Sequence, residues 1–591
     1  MILQCLEAYY RRLADSGDES LVVPGYSKQN ITFCVELQPD GSKPNIRDMR
    51  VESGKRHVAA KKQVLGDAKP PGQGINPCTL WDNTAYMLGF KQDDEKPERT
   101  RKQFEAFRDT HLANQAEIND PEFDAVCYFL KAWNPERAND FPELKDLSAG
   151  FGIFAVVGKL NFVHESERVK GWWQKKLSVV DDEVDEPPLV LQCLVSGQTA
   201  PIARLHNKPP IKGVNGGLPG GGMLVSFEMQ SSSSYDRKQS YNSPVGVEAA
   251  FRYAVALNQL LERNVSQRVQ IGDTTTVFWT EQQSPIESMI PGIFELGNVE
   301  DEVRKANLHS ILDSISQGKF PSELGKRDTA FYVLGLSPNA ARISVRFWWQ
   351  GTIEEICDRI GKHFNDLAIV KPPKAPAYPS LYQILRETAR ESKDISPTLS
   401  GSMMRSILQG SDYPSSLLSS LLRRVKADRD YKVPPVRAAA IKACLNRTFR
   451  LNPKRSPLEM RLEMALNKER PEVAYQLGRL FAAFEKTQND AFKTPLNSTI
   501  KDRYFSAASA TPATVFPRLI RMNQHHIAKL EKVEYQRSAE NRNREIFDRF
   551  NDFPNHLTMQ EQGLFAIGYY QQTQDFYSKK QKEPVAEEMT S

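Results

Sequence analysis

Long apolar stretches are missing from this sequence: no run in its 591 residues approaches the roughly 20 residues that a membrane helix needs. Clustered cysteines are missing too. The seven present (Cys5, Cys34, Cys78, Cys127, Cys193, Cys357, Cys444) are scattered and never form CxxC. Neither a disulfide framework nor a structural zinc site is expected, and the thiols read as the reduced ones of a cytoplasmic protein. Gly-Lys occurs five times but never with Ser or Thr after it, so there is no Walker A loop. The run Gly213–Gly222 (GVNGGLPGGG) does not match GxGxxG and feeds a strand-like segment, which disfavours dinucleotide binding. HExxH and GxSxG are absent. The opening MILQCLEAYYRRLADSGDES is broken by Glu7, Arg11 and Arg12 and does not read as a secretory leader. It suits an amphipathic helix with Ile2, Leu6 and Tyr9 or Tyr10 on one face. His525 and His526 are the one adjacent histidine pair, and neighbours on a helix point different ways, so they suit a surface better than a metal. The expectation is a chain with no active site, no metal and no cofactor.

What is present is ordinary globular composition, 40% hydrophobic and 26% charged, in a length that suggests about three or four domains. Residues 1–180 mix strands and helices. Asn30–Leu37 alternates like a half-buried strand, and Phe151–Val163 reads as a strand pair. Asp181–Glu186 followed by two prolines reads as a solvated link. Residues 189–370 hold strand-like LVLQCLV, MLVSFEM, TTTVFWT, FYVLGL and RISVRFWW, with helices over Val245–Arg263 and Ile353–Phe364. Lys371–Pro379 is a proline-rich break. Beyond it the pattern is helical: a basic region over 380–455, then a bundle over 456–582. The bundle should contain a helix opening at Pro471 and a long one through Asn523–Phe550, followed by a disordered tail over 583–591. The fold class expected is an α+β N-terminal half with mixed and antiparallel strands, followed by an all-α C-terminal bundle.

Net charge is only +5, but it is unevenly spread. Between Ser380 and Arg455 there are 15 Lys and Arg against 6 Asp and Glu. Such a bias in a helical half is an electrostatic footprint for a phosphate backbone. Four stretches carry candidate contacts. Between Val58 and Tyr86, Lys61, Lys62 and Lys69 precede a Gly/Pro loop with Gln73, Gly74 and Asn76, whose amides can approach base edges closely. Between Ile202 and Ser243, Lys208, Lys212, Asn215, Arg237 and Lys238 suit phosphates, and Tyr235 and Tyr241 could stack on unpaired bases. Phe331–Trp349 reads mainly as sheet packing, with Arg342 or Arg346 on its surface. In Leu421–Arg455, the residues Arg423, Arg424, Lys426, Arg437, Lys442 and Arg447 flank an apolar stripe.

Together these stretches resemble one family, the large subunit of the subtype I-C CRISPR Cascade surveillance complex (the Csd type). The likeness lies in MILQCLEAYY, GINPCTLWDNTAYMLG, PIARLHNKPPIKGVNGG, LVSFEMQSSSSYDRKQSYNSPVGVEAAFRYAVALNQLL, DTTTVFWTE, FYVLGLSPNAARISVRFWW, VRAAAIKACLNR and VAYQLGRLFAAFEKTQ. These blocks run in one order from residue 1 to about 487. The glycine-rich run at 213–222 is richer in glycine than the pattern.

The resemblance implies a non-catalytic subunit bound to a guide CRISPR RNA, beside the subunit that caps the guide handle and the repeated backbone subunits. It would recognise the protospacer-adjacent motif in double-stranded DNA, assist strand opening, stabilise the R-loop with its displaced strand, and recruit the helicase-nuclease effector. On that reading Gln73, Gly74 and Asn76, backed by Lys61 and Lys62, read or wedge the motif. Lys208, Lys212, Asn215, Arg237 and Lys238 hold DNA backbone, and Arg423 to Arg447 line the opened strands. A small subunit translated from the same gene, starting at Met460 or Met464, is also implied. The alternatives are a CRISPR-associated metal-dependent nuclease and a scaffold that touches only proteins.

Overall fold

The computed structural model describes residues 1–18, 21–53, 56–69, 74–148, 150–178, 189–227, 229–262, 265–296, 301–428, 432–452, 461–492 and 498–577. Gln73, the acidic stretch 181–186, Met460 and the tail beyond 577 lie outside these residues. The chain divides into two compact units: Met1–Gly213 with Gly217–Leu261 and Pro338–Ile343, and Val214–Gly216 with Glu262–Ser337 and Ser344–Ser591.

The first unit is built on a five-stranded mixed sheet. Its spine is Tyr26–Leu37, which runs parallel to Phe151–Val156 (Cys34 opposite Ile153) and antiparallel to Asn45–Asp48 and to Ala60–Leu65. Trp81–Asp82 pairs antiparallel on the far side of Phe151–Val156. Strict alternation sends Phe33, Val35 and Leu37 to one face and Cys34 to the other. An irregularity between Ile31 and Phe33 breaks that period, so Ile31 shares the face of Cys34. Helices Pro97–Ile118 and Pro121–Ala132 cover the first face, burying Phe107, Phe123 and Phe129 against Phe33 and Phe154. The two helices are separated by a stop and a start one residue apart. Asn119 takes a left-handed φ of 46°, and the Asp120 carboxylate then accepts from the N–H groups of Glu122 and Phe123 ahead of Pro121. The other face carries only the smaller cluster of Ile31, Cys34, Val64, Trp81, Ile153 and Ala155. In the same unit Ile2–Asp15 packs along Val247–Leu260, and Glu7 accepts from Arg11 (2.7 Å) and Arg252 (3.0 Å).

The second unit begins with a four-stranded sheet in chain order: Arg268–Ile271, Thr274–Thr280, Ala330–Asn339, Arg342–Thr352. Thr352 then caps Ile353–Leu367 in a reciprocal box with Glu355. The remaining helices include Pro397–Gln409, Ser415–Ala427, Pro435–Leu451, Val473–Ala491, Pro512–Ala528, Val533–Phe547 and Met559–Tyr577. One hydrophobic core runs from Phe278 and Phe331 on the sheet through Ile356 and Ile441 to Phe481 and Phe565.

The fold class matches the expectation, an α+β N-terminal part and a helical C-terminal part, and four particulars differ. Residues 189–370 are split between the two units, and the Lys371–Pro379 segment lies inside the second unit, whose core passes across it. MLVSFEM is not a strand: Met223 makes an isolated bridge to Arg342, and the segment around it leads into a loop rather than a ladder. Phe151–Val163 gives one strand, Phe151–Val156, with a single bridge from Ala155 to Phe162 in place of a partner strand. The helix expected through Asn523–Phe550 is broken at Lys529–Lys532, where Ile527 and Leu530 turn inward to pack on Ala539.

Candidate nucleic-acid surfaces

The loop before Trp81 is held at its base by a buried charge. The Asp82 carboxylate, with no solvent exposure, accepts from Lys69 Nζ (2.5 Å), the Cys78 N–H (3.1 Å) and the Asn83 N–H (2.8 Å). Burial pushes its carboxyl up from the ordinary range, and Lys69 pulls it back. The same ammonium lies 3.3 Å from the centroid of the Tyr86 ring, whose hydroxyl accepts from the Asn76 N–H (3.2 Å). Trp81 donates to the Leu65 carbonyl and sets its ring edge-on to Phe151. On this footing Gly74, Ile75 and Asn76 are exposed. Lys61 and Lys62 sit on the strand that precedes the loop in the chain, opposite Asn30 and Gln29, and Lys62 lies 5.4 Å from the Phe162 ring.

The second basic stretch reaches the first within the same unit, because Lys208 Nζ pairs with Asp67 at 3.1 Å. Next to it, the Asn258 side chain accepts from the Lys212 N–H (2.7 Å) and donates to the Pro210 carbonyl (3.0 Å). Reciprocal hydrogen bonds between Ile211 and Gly222 close the glycine-rich loop. Gly213 has φ +91°, and a Cβ there would stand 2.6 Å from the Leu261 carbonyl, so glycine is required. Asn215 groups with the second unit, where its N–H donates to Thr275 (3.0 Å).

The loop of Tyr235 is the most constrained surface feature of this unit. Tyr235, Asp236 and Gln239 are non-glycine residues at φ 53°, 56° and 49°. A left-handed residue other than glycine, asparagine or aspartate costs about 1–2 kcal/mol, which here falls on Tyr235 and Gln239. Asn242 offsets that cost: its Oδ1 accepts from the Ser234 N–H (2.7 Å), and its Nδ2 donates to the carbonyls of Arg237 (2.8 Å) and Gln239 (2.9 Å). The result presents Tyr235 at 95% exposure beside exposed Arg237 and Lys238. Tyr241, by contrast, is half-buried.

In the helical part three expectations need correction. Arg437, Lys442 and Arg447 are buried and held by the fold itself. Arg437 pairs with Glu387 and Asp428, both at 2.9 Å. Lys442 donates to the Asp366 carbonyl (3.2 Å), and burial brings its ammonium down to about 8. Arg447 has no exposed surface; it sits 4.2 Å from the Tyr413 ring centroid and donates to the Ser406 carbonyl. Pro435–Leu451 is packed on several sides by other helices, so its cations are turned inward and are not presented to a phosphate. Arg423 and Lys426 are exposed on an open groove with Leu422, Met559 and Gln562, and Arg424 is ion-paired with Asp428.

The exposed cations of this unit that the sequence reading missed lie elsewhere. Arg518, Arg521 and Lys529 are exposed and, with the exposed polar His525 between the last two, fall at steps of three and four along Pro512–Ala528 and its C-terminal end. That spacing puts them on one helical face, and the periodicity of basic rather than apolar residues was the available signal. Arg537 and Arg544, exposed and seven residues or two turns apart, share a face of the next helix. Among the described residues no group of three His, Cys, Asp or Glu is arranged to hold a metal ion. No described helix is long and apolar enough to cross a membrane.

A family model described as CRISPR-associated protein (Cas_Csd1) matches residues 6–577. A search of the curated proteins finds no match.

Proposed function

The chain belongs to the CRISPR-associated Cas_Csd1 family, and from that premise we propose that it is the non-catalytic large subunit of a type I-C Cascade complex working in the cytoplasm. In this reading it holds one end of the guide RNA with the handle-capping subunit and the repeated backbone subunits. It recognises the protospacer-adjacent motif in duplex DNA, helps open the strands and steadies the R-loop. It then brings in the helicase-nuclease that cuts. Guide pairing reads the long sequence while protein reads a short duplex motif, so neither a nucleotide-hydrolysing loop nor a cleavage site is required of this chain.

The observation that carries the reading is the loop of Gly74–Asn76. It is exposed and amide-bearing, it stands on the buried Lys69–Asp82 pair, and it follows in the chain the strand that carries Lys61 and Lys62. A short amide on a fixed loop can reach base edges while lysines hold phosphates. Gln73 belongs to the same segment and is assigned the same role. Lys208, Lys212, Arg237 and Lys238 serve as backbone contacts, joined in the helical unit by Arg423, Lys426, Arg521 and Lys529. A separately translated small subunit starting at Met460 or Met464 remains part of the proposal.

Replacing Asn76 with Ala in the assembled complex tests it. Affinity for motif-bearing duplex should fall by about 5–150-fold, the 1–3 kcal/mol of a good base contact, with scrambled duplex unaffected. Equal affinities for the two duplexes before and after the change would remove the motif assignment. Magnesium-dependent DNA cleavage by the purified chain would overturn the non-catalytic role.

A further inference from the structure

We infer that the Ser234–Gln239 loop is a preformed platform for one unpaired nucleobase, with Tyr235 as the stacking ring and Asn242 as the positioning residue that holds it out. The inference rests on the proposed nucleic-acid role and deepens the stacking expected of Tyr235: it adds the preformed loop, a single-base site and Asn242, a residue that no motif marks.

The argument begins with conformational cost. A loop free to choose would place glycine at left-handed positions and would fold an apolar ring back onto the protein. Here Tyr235 takes φ 53° and is 95% exposed, and its neighbour Asp236 takes φ 56°. Three hydrogen bonds from one side chain, that of Asn242, hold the conformation, and the Ser240 N–H ties the same loop to the Arg204 carbonyl (3.2 Å). The backbone that carries the ring is fixed in this way, so the loop has little conformational freedom left to lose on binding, which is what a preorganised contact requires.

The surroundings favour a base over a protein. Arg237 and Lys238 follow the ring directly and are exposed, Arg204 is exposed on the tied segment, and Asp236 is the one acid within the loop. Ser231–Ser234 before the ring are exposed and polar, unlike the apolar rim that surrounds an aromatic anchor between proteins. An aromatic face next to cations suits single-stranded nucleic acid, where each base offers a free π-face and each phosphate a charge. In a duplex the bases are already stacked on one another. The guide strand and the displaced DNA strand both supply such a base.

The test uses the full-length chain and short single-stranded DNA and RNA carrying 2-aminopurine, whose fluorescence reports stacking. Tyr235→Ala should abolish the fluorescence change and weaken binding by about tenfold, within the range for one base–aromatic contact. Tyr235→Trp should keep both. Asn242→Ala should lose the signal although the tyrosine is still present. Tyr235→Gly should also lose it while melting no lower than the parent, since glycine accepts this backbone without strain; that separates a lost platform from a damaged fold. A response to RNA alone identifies the guide as the source, and a response to DNA identifies the displaced strand. Wild-type signal in Tyr235→Ala and Asn242→Ala, in a chain that still binds oligonucleotides, would overturn the platform and leave the wider function standing. Lost co-purification of protein subunits with an unchanged signal would reassign the ring to a protein. No binding of any oligonucleotide would defeat the function proposed above as well.

Discussion

At the scale of single residues, the fold repeatedly decides what a charge is for by where it puts the counter-charge. Asp82 and Lys69 illustrate this. Removing one partner of a buried pair leaves an uncompensated charge, at a cost of about 3–5 kcal/mol. Lys69→Met should therefore destabilise the chain by about that much at neutral pH. Burial already raises the Asp82 carboxyl, and without Lys69 it rises further. A folded-state value above the unfolded one means the penalty is absent below about pH 4 and grows as pH rises. Urea unfolding of Lys69→Met should show a small deficit near pH 4.5 and a full one near pH 8, and Lys69→Met/Asp82→Asn should regain most of it. A deficit independent of pH would mean lost packing, not lost charge. The sequence showed Lys69 and Asp82 but not their pairing, just as it showed Arg437, Lys442 and Arg447 without the contacts to Glu387 and Asp366, 50 to 81 residues away, that join the nearer Asp428 in holding them. A count of basic residues sees the cations of a stretch and is blind to which are neutralised from afar. The exposed loop of Asn76 was legible because small residues and glycine advertise it locally; the clamp by Asn242 was not, since an asparagine after a tyrosine carries no such mark.

At the scale of elements, the helices Val473–Ala491 and Met559–Tyr577 approach so closely that glycine is obligatory on both sides. A Cβ on Gly478 would lie 2.0 Å from the Phe565 carbonyl oxygen, and one on Gly568 2.2 Å from that of Tyr475. Backbone cannot give way as a flexible side chain does, so alanine at either position must push the helices apart. The same contact carries Tyr475 OH donating to Gln571 (2.6 Å), Tyr569 OH donating to Glu485 (2.6 Å) and Arg479 Nε donating to Gln572 (3.0 Å). Gly478→Ala or Gly568→Ala should lower stability by at least the roughly 1–3 kcal/mol of ordinary overpacking. Gly563→Ala on the same helix, whose Cβ would meet only side-chain ends, of Leu445 at 3.2 Å and Ile441 at 3.4 Å, should be tolerated far better. Thermal unfolding of the three variants checks this, and equal losses in all three would contradict the crossing geometry. Elements with a clean period were readable from the sequence: Thr274–Thr280 as a strand, Ile353–Leu367 as a helix with its Thr352 cap. Those that failed had their period overridden by tertiary demands. MLVSFEM looks like a strand but lacks a continuous partner, and the break at Lys529–Lys532 has no glycine or proline, only two apolar residues drawn inward.

At the scale of the whole molecule, the two units should differ in how they meet acid, because buried histidines are unevenly shared. His111, His164 and His206 in the first unit are held neutral by burial, each brought down to about 4, and His363 in the second is brought down to about 3. An unfolded histidine takes its proton near pH 6.5. A group whose folded value lies below its unfolded one contributes stability that is fully present above pH 6.5 and is lost progressively as pH falls toward the folded value. Between pH 6.5 and 5.5 each such histidine withdraws on the order of 1 kcal/mol, and few other side chains titrate there. Three strongly lowered histidines against one, His526 of the second unit being lowered by burial as well, should make the first unit, which carries the loops of Asn76 and Tyr235, the first to open in mild acid. Hydrogen exchange at pH 7 and pH 5.5, corrected for intrinsic rates, should show protection falling more in Tyr26–Leu37 and Phe151–Val156 than in Val473–Ala491 and Met559–Tyr577. Replacing His206 with Phe removes one proton acceptor but also strands the Tyr253 hydroxyl, which lies 2.8 Å from its ring nitrogen. That variant should be weaker at pH 7 yet lose less on going to pH 5.5. A uniform loss across both units would show that the buried imidazoles do not govern the acid response.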